Sequence, residues 1–227
     1  QVSDRKAFLA QGPHLHIFVP TLRCNETCVY CHASRADMSA TDTDMSEETA
    51  ALAVDLALAS IDEEITIEFQ GGEPLVNFEL VRFIVDRALE RNKEAGKRLQ
   101  FALVSNLSLM DEEKLAFLCD RRVQVCTSLD GHKDLHNRQR VLVGADNFDE
   151  TAAWVRKLNL AYAADGLDPM LYHVEALLTT TRATLQRPRE VVDTYLEVGI
   201  RSIFLRPMEP FGYASTRDDK FGYSPRE

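Results

Sequence analysis

No run of apolar residues in this sequence approaches the ~20 needed to cross a bilayer as a helix, so nothing in it reads as a membrane span. Basic residues are in deficit, with 26 Lys and Arg against 36 Asp and Glu and a net charge of −10. A general nucleic-acid surface needs clustered cations to neutralise phosphate, and this balance argues against one. Cysteine is scarce and odd in number, at five, while 45% of the residues are hydrophobic, enough for a real core. Nothing near residue 1 reads as a signal peptide. A disulfide framework is therefore excluded, and reduced thiols in a cytoplasmic compartment are expected. Internal repeats and low-complexity stretches are absent too, and the single tryptophan, Trp154, falls on a helical pattern with Ala153 and Leu158 that places it in the core.

Three of the five cysteines, Cys24, Cys28 and Cys31, fall within eight residues. Thiolates converging from one loop supply all but one of the four ligands that an iron-sulfur cube takes. One iron is left open, and an open position separates a site that does chemistry from one that is only structural, as it does for zinc. A zinc knuckle completed by the adjacent His32 is the alternative, although zinc-finger ligands come in pairs and these do not. His16 and His32 are read as hydrogen-bonded structural histidines, and Cys119 and Cys126 as small hydrophobes, the latter on a strand. A second landmark follows an apolar strand: Gln70, Gly71, Gly72, Glu73 and Pro74 in sequence.

Strand and helix signals alternate six times, which implies a parallel sheet with helices outside. Strands are expected at 15–19, 65–69, 99–105, 123–128, 173–178 and 202–205. Helices are expected after Ser46, with Leu52, Val54, Leu56 and Ala57 as its apolar residues, and at 78–93, 111–120, 149–162 and 190–197. Gly96, Gly166 and Gly199 follow three of these, as stop signals do. The polar segments 34–44 and 138–147 read as long loops. In parallel α/β barrels reactive groups sit at the carboxyl ends of strands, and Cys24, Gly71 to Glu73, Asn106 and Asp130 all follow strands.

Strand parity identifies the inward face. Ile65, Ile67 and Phe69 share one side of their strand, while Thr66, Glu68 and Gln70 share the other and are too polar for a dry core. Gln124, Cys126, Ser128 and Asp130 oppose Val123 and Val125, and His173 and Glu175 oppose Val174 and Ala176. The inference is a polar lumen that holds substrate, with Glu68, Gln70, His173 and Glu175 as candidates. The same carboxylates also suit a buried ion pair or a solvated rim position.

The cysteine spacing, with Tyr30 before the third thiol, is similar to the signature of the radical S-adenosylmethionine (SAM) enzymes, and the Gly71-Gly72-Glu73-Pro74 turn resembles the family's site for the SAM amino group. Segments 12–19, 128–131, 135–137 and 177–182 resemble the peptide- and protein-modifying, SPASM-like branch that includes the sulfatase maturases, with a closest likeness to the maturases of His-Xaa-Ser peptide systems. One departure stands out: Asn137 occupies a position where many relatives carry Asp. The resemblance runs from about Pro13 to Phe211 and implies a partial, open (β/α)6 TIM-like barrel over residues 13–210, with 1–12 as a lead-in and 211–227 as an exit segment. With Gln1 first and no period in 211–227, the chain reads as a fragment whose C-terminal region would hold further cysteines.

The implied cofactors are a [4Fe-4S] cluster on Cys24, Cys28 and Cys31, and SAM bound by Tyr30, Gly71, Gly72, Glu73, Asn106, Ser128, Asp130 and Arg140. Reductive cleavage of SAM would give a 5′-deoxyadenosyl radical that abstracts hydrogen from a peptide or protein, and the implied partners are that substrate and an electron donor such as flavodoxin or ferredoxin. A radical enzyme acting on a small molecule or RNA, and a non-catalytic iron-sulfur or zinc module, are the competing readings. No catalytic acid or base is marked by the sequence.

Overall fold

The structure, a computed structural model, describes residues 12–224. Its strands are β1 (Leu15–Phe18), β2 (Glu26–Cys28), β3 (Glu64–Phe69), β4 (Arg98–Ser105), β5 (Val123–Ser128), β6 (Arg140–Leu142), β7 (Glu175–Thr180) and β8 (Ile203–Pro207). Six of them form one parallel sheet in the order β1-β3-β4-β5-β7-β8. This is the expected open, partial (β/α)6 barrel. Helices α1 (Glu47–Leu58), α2 (Phe78–Ala95), α3 (Glu112–Asp120), α4 (Lys133–Gln139), α5 (Asn147–Ala164), α6 (Arg182–Leu185) and α7 (Pro188–Val198) connect the strands, and α8 (Asp218–Phe221) follows the last of them. The lead-in at 1–12 lies, but for Gly12, outside the described residues.

Local chemistry sets the helix ends. Ser46, Asp111 and Asp146 accept from the backbone N–H groups of Thr49, Lys114 and Asp149 at the starts of α1, α3 and α5, caps each worth about 1 kcal/mol. Gly96 and Gly199 close α2 and α7 in the left-handed conformation that glycine adopts without a Cβ clash. The core lies between sheet and helices. Ile65, Ile67, Phe69 and Val123 are 0% exposed on the helix-facing parity, and the polar parity faces the concave side.

Several expectations need correction. Leu52 and Leu56 are 66% and 74% exposed, because Ala50, Val54, Ala57 and Leu58 form a second apolar stripe on α1 and that one packs inward. Trp154 is only half-buried, with the Lys157 ammonium 4.9 Å from its ring centroid. The fifth main strand begins at Glu175, so His173 lies in the segment before it. The loop expected at 138–147 contains β6, which pairs antiparallel with β2, and α4 precedes it. The exit segment is not featureless either: it turns through a 3₁₀ helix at Gly212–Thr216 and returns to the cysteine loop, where Ala214 donates its backbone N–H to Cys31 O at 3.1 Å.

Candidate functional site

Two loops at the carboxyl ends of β1 and β3 meet here. Gly72 donates its N–H to Thr21 O at 3.0 Å and Glu73 to Arg23 O at 2.8 Å, tying the glycine turn to the backbone just before Cys24. This close approach accounts for the glycines. A Cβ on Gly72 would stand 2.2 Å from Arg23 O, and one on Gly71, whose φ is +136°, would stand 2.5 Å from Thr21 O, contacts only glycine avoids. Gly72→Ala is therefore expected to push the cysteine loop outward and lower the iron bound at the site, as iron and sulfide analysis of the purified protein would report.

The loop is held from its other side by the ribbon of β2 and β6, in which Cys28 pairs with Arg140. Side chains alternate across a ribbon. Glu26, Cys28 and Arg140 face inward, with Glu26 1% and Arg140 7% exposed, while Thr27 and Val141 face solvent.

Between these loops lies a cavity of about 340 Å³ lined by all three signature cysteines, Cys24, Cys28 and Cys31. Tyr30, Gly71, Gly72, Glu73, Asn106, Ser128 and Arg140 line it as well, so ten of the eleven residues expected to hold metal or cofactor come together. Asp130 is the exception. It is fully buried behind the wall, where its carboxylate accepts from the Tyr30 hydroxyl and from Gln139 at 3.0 Å and lies 3.4 Å from Arg140 Nε. It lies against Tyr30 and Arg140 rather than in the lining of the cavity. The Arg140 guanidinium also lies over the Tyr30 ring, 5.4 Å from its centroid.

Glu73 is 1% exposed and accepts three hydrogen bonds, from Leu75 N at 3.0 Å, Ser105 Oγ at 2.8 Å and Asn106 N at 2.7 Å. None of these donors is a cation. Burial pushes its carboxyl up to about 7 in spite of the hydrogen bonds. A buried carboxylate with no protein cation at the wall of a cavity is suited to a ligand ammonium. Burial also pushes the Cys24 thiol up to about 12 and the Cys28 thiol well above its ordinary value, and a bound metal cation would favour the thiolates.

The departure at Asn137 has a local explanation. Its amide donates to Asp146 at 3.1 Å and accepts from Phe148 N at 2.9 Å at the start of α5. A carboxylate at this position has no donor for Asp146. His136 next to it is fully buried, and desolvation lowers its pKa to about 4, so the ring is neutral.

Sequence reading missed Glu26, Thr179 and Arg206, which also line the cavity. Glu26 lies between two signature cysteines, where the only available clue was a carboxylate inside a run of metal-binding thiols. Asn147 holds it with a 2.8 Å hydrogen bond.

A family model for the radical SAM superfamily matches residues 18–168, which contain every residue of this cavity except those on β7 and β8. The chain belongs to the radical SAM superfamily. Among its relatives, a protein of Methanocaldococcus jannaschii described as uncharacterized is 35% identical over 49% of this chain and 36% of its own length. The cysteine-type anaerobic sulfatase-maturating enzyme of Clostridium perfringens is 29% identical over 56% of this chain and 35% of its own length. The chain thus spans about a third of either relative. Among solved structures, AdoMet-bound anSMEcpe superimposes with a TM-score of 0.71 at 21% identity, covering 86% of this chain and 52% of that one. Streptococcus suis SuiB bound to its precursor peptide SuiA gives 0.62 at 15%, covering 91% and 42%. At such identities the likeness is one of fold.

The cofactors of this radical SAM chain are a [4Fe-4S] cluster and SAM, and the cavity fits them. Among the described residues no three His, Cys, Asp or Glu side chains approach closely enough to hold a single metal ion. Zinc draws its sulfur ligands to 2.3 Å from one point, whereas each cysteine of a cube holds a different iron. The three thiols border one cavity, with His32 on the same wall.

A second cavity, also of about 340 Å³, lies inside the barrel and is lined by Glu68, Gln70, Cys126, His173 and Glu175. All four lumen candidates are therefore brought together, and Ile65, Ile67 and Phe69 stay outside it. Glu68 accepts from the Gln70 amide. His173 is fixed by Pro169 O and Ser202 Oγ, each at 3.0 Å.

Proposed function

We propose that this radical SAM chain cleaves SAM reductively and directs the resulting 5′-deoxyadenosyl radical at a peptide or protein substrate held in the barrel lumen. The observation that carries the reading is a shared wall: Gln70, Val104, Leu177 and Arg206 line both the cysteine cavity and the polar lumen. A radical formed in the first would lie beside the lumen, across that wall from a C–H bond in the second. Structures of anSMEcpe and SuiB with bound peptides support a peptide as the occupant.

When bound, a [4Fe-4S] cluster would supply one-electron reduction of the SAM sulfonium, drawing on an external donor such as flavodoxin or ferredoxin. The protein binds, orients and shields. Cys24, Cys28 and Cys31 would hold three irons, and the one carboxylate position on Glu73 not taken by the protein would accept from the SAM ammonium. Gly71 and Gly72 let that ligand approach the backbone. Asn106 and Ser128 offer neutral hydrogen bonds to its ribose and methionyl oxygens, and Arg140, braced by Asp130, presents guanidinium donors toward its carboxylate. Because a carbon radical abstracts hydrogen from most neighbouring C–H bonds, selectivity rests on placement. That task falls to Glu68, Gln70, His173 and Glu175.

Anaerobic reconstitution with iron and sulfide, followed by dithionite and SAM, is expected to yield 5′-deoxyadenosine. None would overturn the enzyme reading. A short precursor peptide is expected to be encoded beside the gene; with it as substrate, Glu68→Gln and Glu175→Gln are expected to keep SAM cleavage and lose most of the modified peptide by mass spectrometry. Full product yield from both variants would remove the lumen from substrate binding.

A further inference from the structure

Glu26 has no part in the chemistry above, yet this carboxylate of the ribbon is only 1% exposed. Its Oε2 lies 3.4 Å from Cys28 Sγ and 3.4 Å from Arg140 Nη1, and the same Nη1 lies 3.6 Å from Cys28 Sγ. Oε1 is held by Asn147 Nδ2 at 2.8 Å, so the carboxylate cannot swing away from the sulfur. Arg140 does not neutralise it alone, because the guanidinium also serves Asp130, 3.4 Å from Nε. Two carboxylates thus share one cation, and all three side chains are under 10% exposed.

We infer that Glu26 lowers the reduction potential of the metal centre by holding against the Cys28 ligand a negative charge that Arg140, shared with Asp130, offsets only in part. The reasoning is electrostatic. Reduction of [4Fe-4S]2+ to [4Fe-4S]1+ by an external one-electron donor, dithionite in the test, adds a negative charge to a centre already carrying thiolates. A fixed carboxylate in contact with one of those sulfurs opposes that addition, and its burial, at 1% exposed, reduces solvent screening. Net charge and hydrogen bonding at the sulfurs are the protein's main levers on such potentials. Glu26 therefore makes the reduced centre harder to form and, once formed, a stronger reductant toward the sulfonium. Arg140 limits the effect from the opposite direction, since its Nη1 bridges the carboxylate and the sulfur. The inference rests on the cluster occupying the three cysteines, and that premise is read separately in the wild-type protein.

The test is a redox titration of anaerobically reconstituted wild type and Glu26→Gln, followed by the electron paramagnetic resonance signal of the reduced centre. Glutamine preserves the acceptor for Asn147 and removes the charge. The expected result is a higher midpoint potential in the variant, outside the scatter of repeated wild-type titrations, with the reducible signal intact. An unchanged potential would reduce Glu26 to a structural tie, and a folded variant that binds no iron would make it an assembly residue; either overturns the inference. If Glu26→Gln does not fold, Glu26→Asp replaces it, since this retains the charge but withdraws it by one methylene from the sulfur. A higher midpoint potential then supports the inference, and a wild-type value overturns it. A wild-type protein lacking any reducible centre would instead reject the assignment of the cysteines.

Discussion

Alanine at any one of Cys24, Cys28 or Cys31 is expected to remove the cluster entirely. Each thiol holds a different iron, so two remaining ligands leave a second iron without a protein donor, in a cavity whose lining offers no replacement carboxylate that is free. Glu26 is committed to Asn147 and Arg140, and Glu73 to three backbone and hydroxyl donors. Iron, sulfide and the visible absorption of the reconstituted protein report the loss. Cys119→Ala and Cys126→Ala are the controls. Cys119 is buried among core residues and Cys126 faces the lumen, and neither lines the cysteine cavity, so both variants are expected to keep the full cluster. A single-cysteine variant that retains it would refute the assignment.

Glu73 carries the second large effect. Its removal takes a charge-assisted hydrogen bond from the SAM ammonium, worth about 1.5–3 kcal/mol, or roughly 10- to 150-fold in affinity. Glu73→Gln keeps most of the shape and is expected to leave the cluster in place while weakening SAM binding by that factor. The dependence on pH has a definite sign. Because burial raises the carboxyl to about 7 in the ligand-free fold, the fold favours the protonated form. That contribution to stability is complete below the ordinary carboxylate range and is lost as pH rises through about 7, on the order of 3 kcal/mol in all. SAM binding runs the other way, since the ammonium needs the carboxylate. Affinity measured anaerobically by equilibrium dialysis is expected to climb as pH rises toward 7 and to fall again once the ammonium itself loses its proton, at about pH 8, and Glu73→Gln should remove the rise. A flat wild-type profile would show that the carboxylate does not meet the ammonium.

Much of the barrel was legible because its strands are long enough to show a period. Four or more residues of alternating polarity in β3, in β5 and in 173–176 leading into β7 showed which side faces the helices, and the lumen followed from the opposite parity. The ribbon of β2 and β6 left no such trace. Its strands are three residues each, too short for alternation to stand out, and their pairing depends on tertiary contacts. Leu52 and Leu56 misled because α1 carries two apolar stripes, and periodicity cannot tell which one meets α2. The cofactor residues were legible as motif. Glu26 was not, since its significance comes from Arg140 and Asn147, which reach it from more than a hundred residues away in sequence.

That separation bears on when the metal centre can come into being during synthesis. The three thiols are made early, but the wall that orients them arrives with Arg140 and Asn147, 112 residues or more after the cysteine and glutamate they hold. Closing so long a loop costs chain entropy that the paired ribbon alone does not recover, so the parallel strands in between must already be laid down. A growing chain therefore displays its thiols to solvent, or to oxygen, well before it can cage them. Cluster delivery belongs to a late stage of folding, after the ribosome has released the segment beyond residue 147.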